Sequence, residues 1–192
     1  AMSLKCAQEL SDAHVDVMGY ACLVAIMSMG RGYHCVSEVN LHQETIANDF
    51  PTPIVTSAGA LINGLKVLGA KQISIITPYM RPLTDMVVDY IENQGIKVKE
   101  SIALEIPDNL EVAAQNPMNL LEIYKQLDLI DVDVLVVSAC VQMPSLEAID
   151  LIQAECGIPV TSAAVCTTYE MMKKLGIEAK SAIGGELLCG KY

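Results

Sequence analysis

The sequence predicts an α/β fold of two pseudo-symmetric lobes, each a parallel β-sheet flanked by helices, with a cleft between them for an active site. Three observations carry that expectation. Short apolar, β-branched runs alternate with helical stretches of about ten residues, the pattern of parallel βαβ units. One stretch occurs twice, as VDVMGYAC (Val15 to Cys22) and VDVLVVSAC (Val132 to Cys140), each closing on Ala-Cys. The echo then continues: Pro53-Ile54-Val55-Thr56-Ser57-Ala58 follows the first copy and Pro159-Val160-Thr161-Ser162-Ala163 the second, with Leu68-Gly69 and Leu175-Gly176 ending the helical stretch after each. The spacings differ between copies, which marks an old duplication rather than a short repeat array.

In chain order, Ser3 to Ala13 reads as a helix feeding the Val15 strand, so the chain is expected to open in the middle of a lobe, with a sheet edge left bare or covered by a partner. Cys22 to His34 carries Gly30 and Gly32 near its end and fits a short helix or turn. Ser37 to Asn48 reads as a capped, solvated helix with Glu38 in its first turn. Ile54 to Thr56 is a short strand, and Ser57 to Leu68 an amphipathic helix closed by Gly69. Gln72 to Thr77 is a buried strand ending at Pro78-Tyr79, Pro82 to Gln94 a helix stopped by Gly95, and Lys97 to Ala103 another strand. Ile106-Pro107-Asp108-Asn109 has turn chemistry, with a helix from Pro117 to about Leu127 beyond it. After the Cys140 strand come a helix over Pro144 to Cys156, a strand at Val160-Thr161, a last long helix over Thr167 to Leu175, and a short tail from Leu187 to Tyr192. No low-complexity linker appears, so the boundaries follow the duplication: a first lobe of residues 1–70, lacking its first strand and joined by 163–192, and a second lobe of 71–162.

Composition narrows the function classes. A chain of 192 residues that is 52% hydrophobic can bury a sizeable core. Its net charge of −11, with Arg31 and Arg81 its only arginines, excludes the basic surface that nucleic acid or an anionic membrane requires. The sequence has no apolar run of membrane-spanning length and no signal-peptide layout at its start, which points to the cytoplasm. Its seven cysteines are scattered without a CxxC pair, against both a disulfide framework and a thiolate metal site. His14, His34 and His42 have no metal or triad spacing and read as surface or structural residues. A dinucleotide or phosphate-loop fingerprint is likewise missing, so a reaction without cofactor or metal is expected.

The chemistry then rests on the duplicated thiols. In open α/β sheets ligands bind at the carboxyl ends of the strands, where a following helix turns its amino end to the site and favours thiolate over thiol. Cys22 and Cys140 both fall at such ends, and an approximate dyad would turn them toward each other across the cleft. Taken singly, an Ala-Cys at a strand end is a packing residue; its duplicated placement is what argues for catalysis. The other five cysteines keep the packing reading, with Cys166 on the buried side of the last helix. Tyr79, on the same rim, either donates its phenol to a substrate oxygen or serves as a half-buried lid. Asn109 is expected to cap the helix that follows it. Ser57 and Ser162, at paired helix starts, are expected as caps or anion donors.

The paired thiols, the Thr-Pro-Tyr after a strand and the PxxTSA-like segments resemble the aspartate/glutamate racemase superfamily. Within it, VDVMGYACLVAIMSMG, ITPYMRPLTDMVVDYI, IPDN and VLVVSACVQMPSL are similar to bacterial maleate cis-trans isomerases of the nicotinate-degradation type, over essentially the whole chain. The resemblance implies cofactor-independent isomerisation of maleate to fumarate through a succinyl-cysteine adduct, with Cys22 as nucleophile and Cys140 as second catalytic cysteine. It further implies substrate contacts at Tyr79 and Asn109, and at Leu23 and Val141, which follow the two cysteines. Many members of the superfamily carry Thr at those two places, so Leu23 and Val141 turn the expectation away from an amino-acid (Asp/Glu/hydantoin-type) racemase. The resemblance also implies a segment with a first strand and a substrate-binding Asn ahead of the matching stretches, and no match to it falls within these 192 residues. Alternatives to the isomerase are that racemase, a one-thiol decarboxylase, or a truncated, non-catalytic thiol scaffold or redox sensor. A small dicarboxylate is the expected partner, with a homodimer as the expected assembly.

Overall fold

Parallel strands form two sheets in the computed structural model, which describes residues 2–192. The first pairs β1 (Met18–Tyr20) with β2 (Ile54–Thr56), Gly19 opposite Val55. The second has the order β4-β3-β5-β6, built from β3 (Gln72–Thr77), β4 (Lys97–Ala103), β5 (Val134–Ser138) and β6 (Val160–Ser162). In both sheets the strand that leads to a duplicated cysteine lies beside the strand that opens Thr-Ser-Ala: β1 beside β2, and β5 beside β6. Sequence echo and strand neighbours therefore agree. The β5 residues are buried throughout, as a strand covered by helices on both faces must be. Asp133, which opens the second copy, accepts from the backbone N of Lys71 and of Gln72 at 2.8 Å each and so fastens the start of β3 beside β5.

The helices are α1 (Met2–Ser11), α2 (Leu23–Met27), α3 (Tyr33–Ala47), α4 (Ser57–Val67), α5 (Arg81–Glu92), α6 (Asn109–Ala113), α7 (Leu120–Ile123), α8 (Leu146–Cys156) and α9 (Ala163–Lys174). Each of the two Thr-Ser-Ala strands runs directly into its helix, and those helices, α4 and α9, pack on each other. Their approach is close at Gly64, where an added Cβ would lie 2.6 Å from Cys166 Sγ. Among the described residues no helix is long and apolar enough to cross a membrane.

Five expectations need correcting. Helix α3 begins at Tyr33, not Ser37: Gly32 at φ +72° turns the chain, and the early amide of His34 donates to the hydroxyl of Tyr90 at 3.1 Å. A helix start satisfied from 56 positions away leaves no local capping signature. Glu38, expected in a solvated first turn, instead accepts from Thr56 N at 3.0 Å and Thr56 Oγ1 at 2.7 Å. The stretch after Asn109 is helical where a loop was expected, because Asp108, not Asn109, is the cap, its Oδ1 accepting from Leu110 N and Glu111 N. The expected helix over 117–127 is only the short α7 between two 3-10 turns, Pro117–Asn119 and Tyr124–Gln126. Finally, α9 begins four residues before Thr167, since Ser162 Oγ accepts from Val165 N at 3.2 Å and starts it there.

The three histidines are structural. His14 stacks on Phe50 with ring centroids 4.2 Å apart, His34 Nδ1 lies 2.6 Å from Tyr90 Oη, and His42 Nδ1 lies 2.8 Å from Thr52 O. Burial lowers the pKa of His34, with Glu38 opposing the shift. Cys166 is wholly buried, and burial pushes its thiol up to about 12.

Candidate active site

A cavity of about 390 Å³ opens where the carboxyl ends of β1, β3 and β5 meet, and both duplicated cysteines line it. Cys22 is two residues beyond β1 and immediately precedes α2; its thiol is exposed. Cys140 is two residues beyond β5 and 8% exposed. The Ser138 hydroxyl shapes its turn, donating to Cys140 O at 2.8 Å and accepting from Cys140 N at 3.3 Å. One part of the expectation fails here. The amino end of a helix does not lie directly behind Cys140: α8 starts six residues later, after the turn of residues 141–145. Behind Cys22, α2 has only five residues, so its dipole is small.

Tyr79 enters from the end of β3. Thr84 Oγ1 donates to its carbonyl at 3.4 Å and Glu105 N at 3.2 Å, while its own hydroxyl donates to Ala139 O at 3.3 Å. Burial, then the nearness of Cys140 and Cys22, drive the phenol pKa far above its ordinary value of 10. The group therefore remains a neutral donor, facing the two sulfurs. Asn109, Leu23 and Val141 complete the set of expected residues in the cavity.

Two expected residues are elsewhere. Ser57 is wholly buried at the start of α4, its Oγ has no hydrogen-bond partner among the described residues, and Thr56 takes the capping role by accepting from Gly59 N. Ser162 does cap its helix, and lines a separate cavity of about 530 Å³ that shares Val141 as a wall. The two Thr-Ser-Ala segments thus cap one residue out of step: Glu38 orients the Thr56 hydroxyl in the first, whereas in the second Thr161 Oγ1 lies 3.4 Å from Cys166 Sγ.

Sequence reasoning did not single out Val24, Leu83, Val112 and Gln142, which also line the cavity. Val112 was hidden by the unexpected helix α6. Leu83 and Gln142 sit four residues past Tyr79 and two past Cys140, spacings that carry no signature of their own. No Lys or Arg is among the lining residues; Arg31 pairs with Asp89, and Arg81 with Asp85 and Ser101. A negatively charged ligand would meet neutral donors over an apolar wall. Among the described residues no three His, Cys, Asp or Glu side chains converge as metal ligands.

Fold and site together define a two-thiol α/β protein, and the family model described as arylmalonate decarboxylase matches residues 4–188. A solved arylmalonate decarboxylase superposes with a TM-score of 0.79 at 18% identity, a likeness of fold. Nearer relatives are more particular. A maleate isomerase of Geobacillus stearothermophilus is 54% identical over 188 residues, 98% of this chain and 75% of that protein. One from Pseudomonas putida is 55% identical over 192 residues, 100% of this chain and 77% of the other. The crystal structure of a Pseudomonas putida maleate isomerase superposes with a TM-score of 0.97 at 58% identity, covering 99% of this chain and 77% of that one. A Nocardia farcinica maleate cis-trans isomerase, in a cysteine-to-serine variant with a covalently bound succinylcysteine intermediate, superposes at 0.94 with 38% identity, over 98% and 77% of the two chains. The chain belongs to the maleate isomerase family.

Proposed function

We propose that this protein converts maleate to fumarate, with Cys22 as nucleophile and Cys140 as its partner across the cavity. The observation that carries the reading is that two thiols from duplicated strand ends line one cavity with a neutral phenol and a carboxamide, in a chain more than half identical to maleate isomerases. The succinylcysteine held by the Nocardia relative supports a covalent route.

The Cys22 thiolate adds to one alkene carbon of maleate. A carbon–sulfur bond forms, and the π pair moves through the other alkene carbon into its carboxylate. Tyr79, its hydroxyl turned from the long bond to Ala139 O, and Asn109 donate to that carboxylate as its charge grows. The former double bond is now single, so the halves rotate about it. The electron pair returns, the alkene re-forms as fumarate and Cys22 leaves as thiolate. Cys140, on the opposite face, gives its proton to the carbanionic carbon to complete the succinyl-cysteine adduct, and takes that proton back as the carbon–sulfur bond breaks and the alkene re-forms. Atoms and electrons balance without an external reactant. Leu23 and Val141 flank the sulfurs as apolar walls. Ser57 and Ser162 act through the folds of α4 and α9 rather than by contact.

The same reading divides the chain into lobes of 1–70 with 163–192 and of 71–162; residue 1 lies outside the described residues. The packing of α9 on α4 supports this division. A reducing, cytoplasmic setting fits the free thiols of Cys6, Cys22, Cys35 and Cys189, all exposed. A homodimer fits the exposed Val36, Val39 and Ile46 of α3, and a place in nicotinate breakdown follows the resemblance alone. Proton NMR of the protein with maleate in heavy water tests the activity. Fumarate without deuterium at an amino-acid α carbon is expected. Deuterium wash-in to aspartate or glutamate without fumarate would favour a racemase, and a reversible Cys22–Cys140 disulfide with no turnover a redox protein.

A further inference from the structure

The segment that brings Asn109 to the cavity is lightly held. Of α6, only Val112 is buried, and Leu110 stands 78% exposed. Upstream, backbone hydrogen bonds secure the chain as far as Ile106, whose N donates to Pro78 O at 2.9 Å. Downstream, the Pro117–Asn119 turn packs against α8. Between those anchors, among the described residues, one hydrogen bond crosses from the segment to another element: Gln142 Nε2 donates to Asn109 O at 2.8 Å. Gln142 is itself in the turn that Cys140 opens, and Ser138 Oγ anchors that turn at Cys140 and, at 3.4 Å, at Met143 O. A single side-chain amide thus spans from the turn of the second thiol to the backbone of the residue expected to hold a carboxylate.

We propose that Gln142 is a positioning residue that acts through Asn109, clamping α6 over the cavity and fixing the Asn109 carboxamide relative to Cys140. The inference rests on the isomerase reading of the site for its kinetic consequence, but the clamp itself does not. Asn109 is exposed and, among the described residues, has no other hydrogen-bond partner from outside its segment, so its approach to the cavity depends on where its backbone is held. Loss of the clamp lets the segment swing on its two anchors. The carboxamide then spends less time in place, which weakens substrate binding more than it slows the bond-making step.

Gln142→Met removes the donor at nearly constant length and adds no charge to repel a dianion. The expected result is a KM for maleate raised about threefold to tenfold, the effect of one ordinary hydrogen bond, with kcat within about twofold of the parent. In an Asn109→Ala background the same substitution should change KM by less than twofold, because the residue it acts through is gone. Hydrogen–deuterium exchange gives a second readout that needs no substrate: a peptide covering residues 107–116 should exchange faster in Gln142→Met than in the parent, while peptides from β3 and β5 are unchanged. Equal exchange in parent and variant overturns the clamp, whatever the activity. A KM shift that persists in Asn109→Ala overturns action through Asn109, and a KM within twofold of the parent overturns the kinetic role. Absence of turnover in the parent counts against the isomerase reading and leaves the exchange result to decide the clamp.

Discussion

Replacing Tyr79 with Phe isolates one hydroxyl at the centre of the site. The ring keeps its packing, and the hydroxyl's bond to Ala139 O is long at 3.3 Å. Its loss should cost no more than about 1 kcal/mol of stability. For a chain of this size that is a fall in Tm of about 2–4 °C. The kinetic effect should be larger. Burial keeps the phenol protonated beside Cys140 and Cys22, so it is a fixed donor where charge collects once the thiolate has added. Removing one such donor from a preorganised site costs about 2.7–4 kcal/mol, or 10² to 10³ in kcat. Initial rates measured from the vinyl proton signals of maleate and fumarate, with a thermal melt on the same sample, separate the two effects. A kcat within threefold of the parent would refute the donor role. The sign of the shift gives a further check. The folded phenol holds its proton more tightly than the unfolded one, so its contribution to stability is complete below about pH 10 and is lost only as pH rises beyond that. No fall in rate from this group is expected up to that pH.

Cys22→Ala should abolish turnover and the adduct together, whereas Cys140→Ser should slow turnover yet let mass spectrometry detect one added maleate on Cys22; an adduct on Cys22→Ala would transfer the nucleophile's role elsewhere. Gly64→Ala should destabilise the fold by about 1–3 kcal/mol, because its Cβ would sit 2.6 Å from Cys166 Sγ and 3.1 Å from Leu187 Cδ2; a raised urea midpoint, as helix propensity alone predicts, would contradict the close α4–α9 contact. Cys166, buried with its thiol pushed up to about 12, should resist iodoacetamide in the native protein and react only after unfolding, while Cys22 reacts early and is protected by maleate. His34, its pKa lowered by burial, adds stability above about pH 6.5 that is lost as pH falls and the unfolded imidazole takes up a proton. His34→Gln should flatten the fall in urea midpoint between pH 7 and pH 5; an unchanged slope would assign it to other groups.

Much of this molecule was legible because its signals are local. Strands β3 and β4 match their expected bounds residue for residue, since the β-branched run of β3 and the turn residues around both strands need no distant partner to be recognised. The duplicated Ala-Cys located both thiols, and Thr-Pro-Tyr located the phenol. What escaped depends on contacts distant in sequence. The start of α3 is satisfied by Tyr90, and Glu38 leaves the solvated face to bind Thr56. Gln142 acquires its significance only from the carbonyl of Asn109, 33 positions earlier. The near-identical Thr-Ser-Ala segments misled for the same reason: equal letters met unequal surroundings, so Thr56 caps in one copy and Ser162 in the other.

The joint formed by Glu38, Thr56 and Gly59 restricts how this sequence can drift. A Cβ on residue 59 would come within 2.7 Å of Glu38 Oε1 and 3.0 Å of Thr56 Oγ1. Any larger residue there must expel the carboxylate, which strands the amide and hydroxyl of Thr56 and loosens the start of α4. A carboxylate lost first still leaves Thr56 Oγ1 at 3.0 Å and His34 Cδ2 at 3.1 Å from that Cβ. Mutational paths through these positions are therefore steep when taken one step at a time, and descendants of this chain should keep all three or replace them as a set.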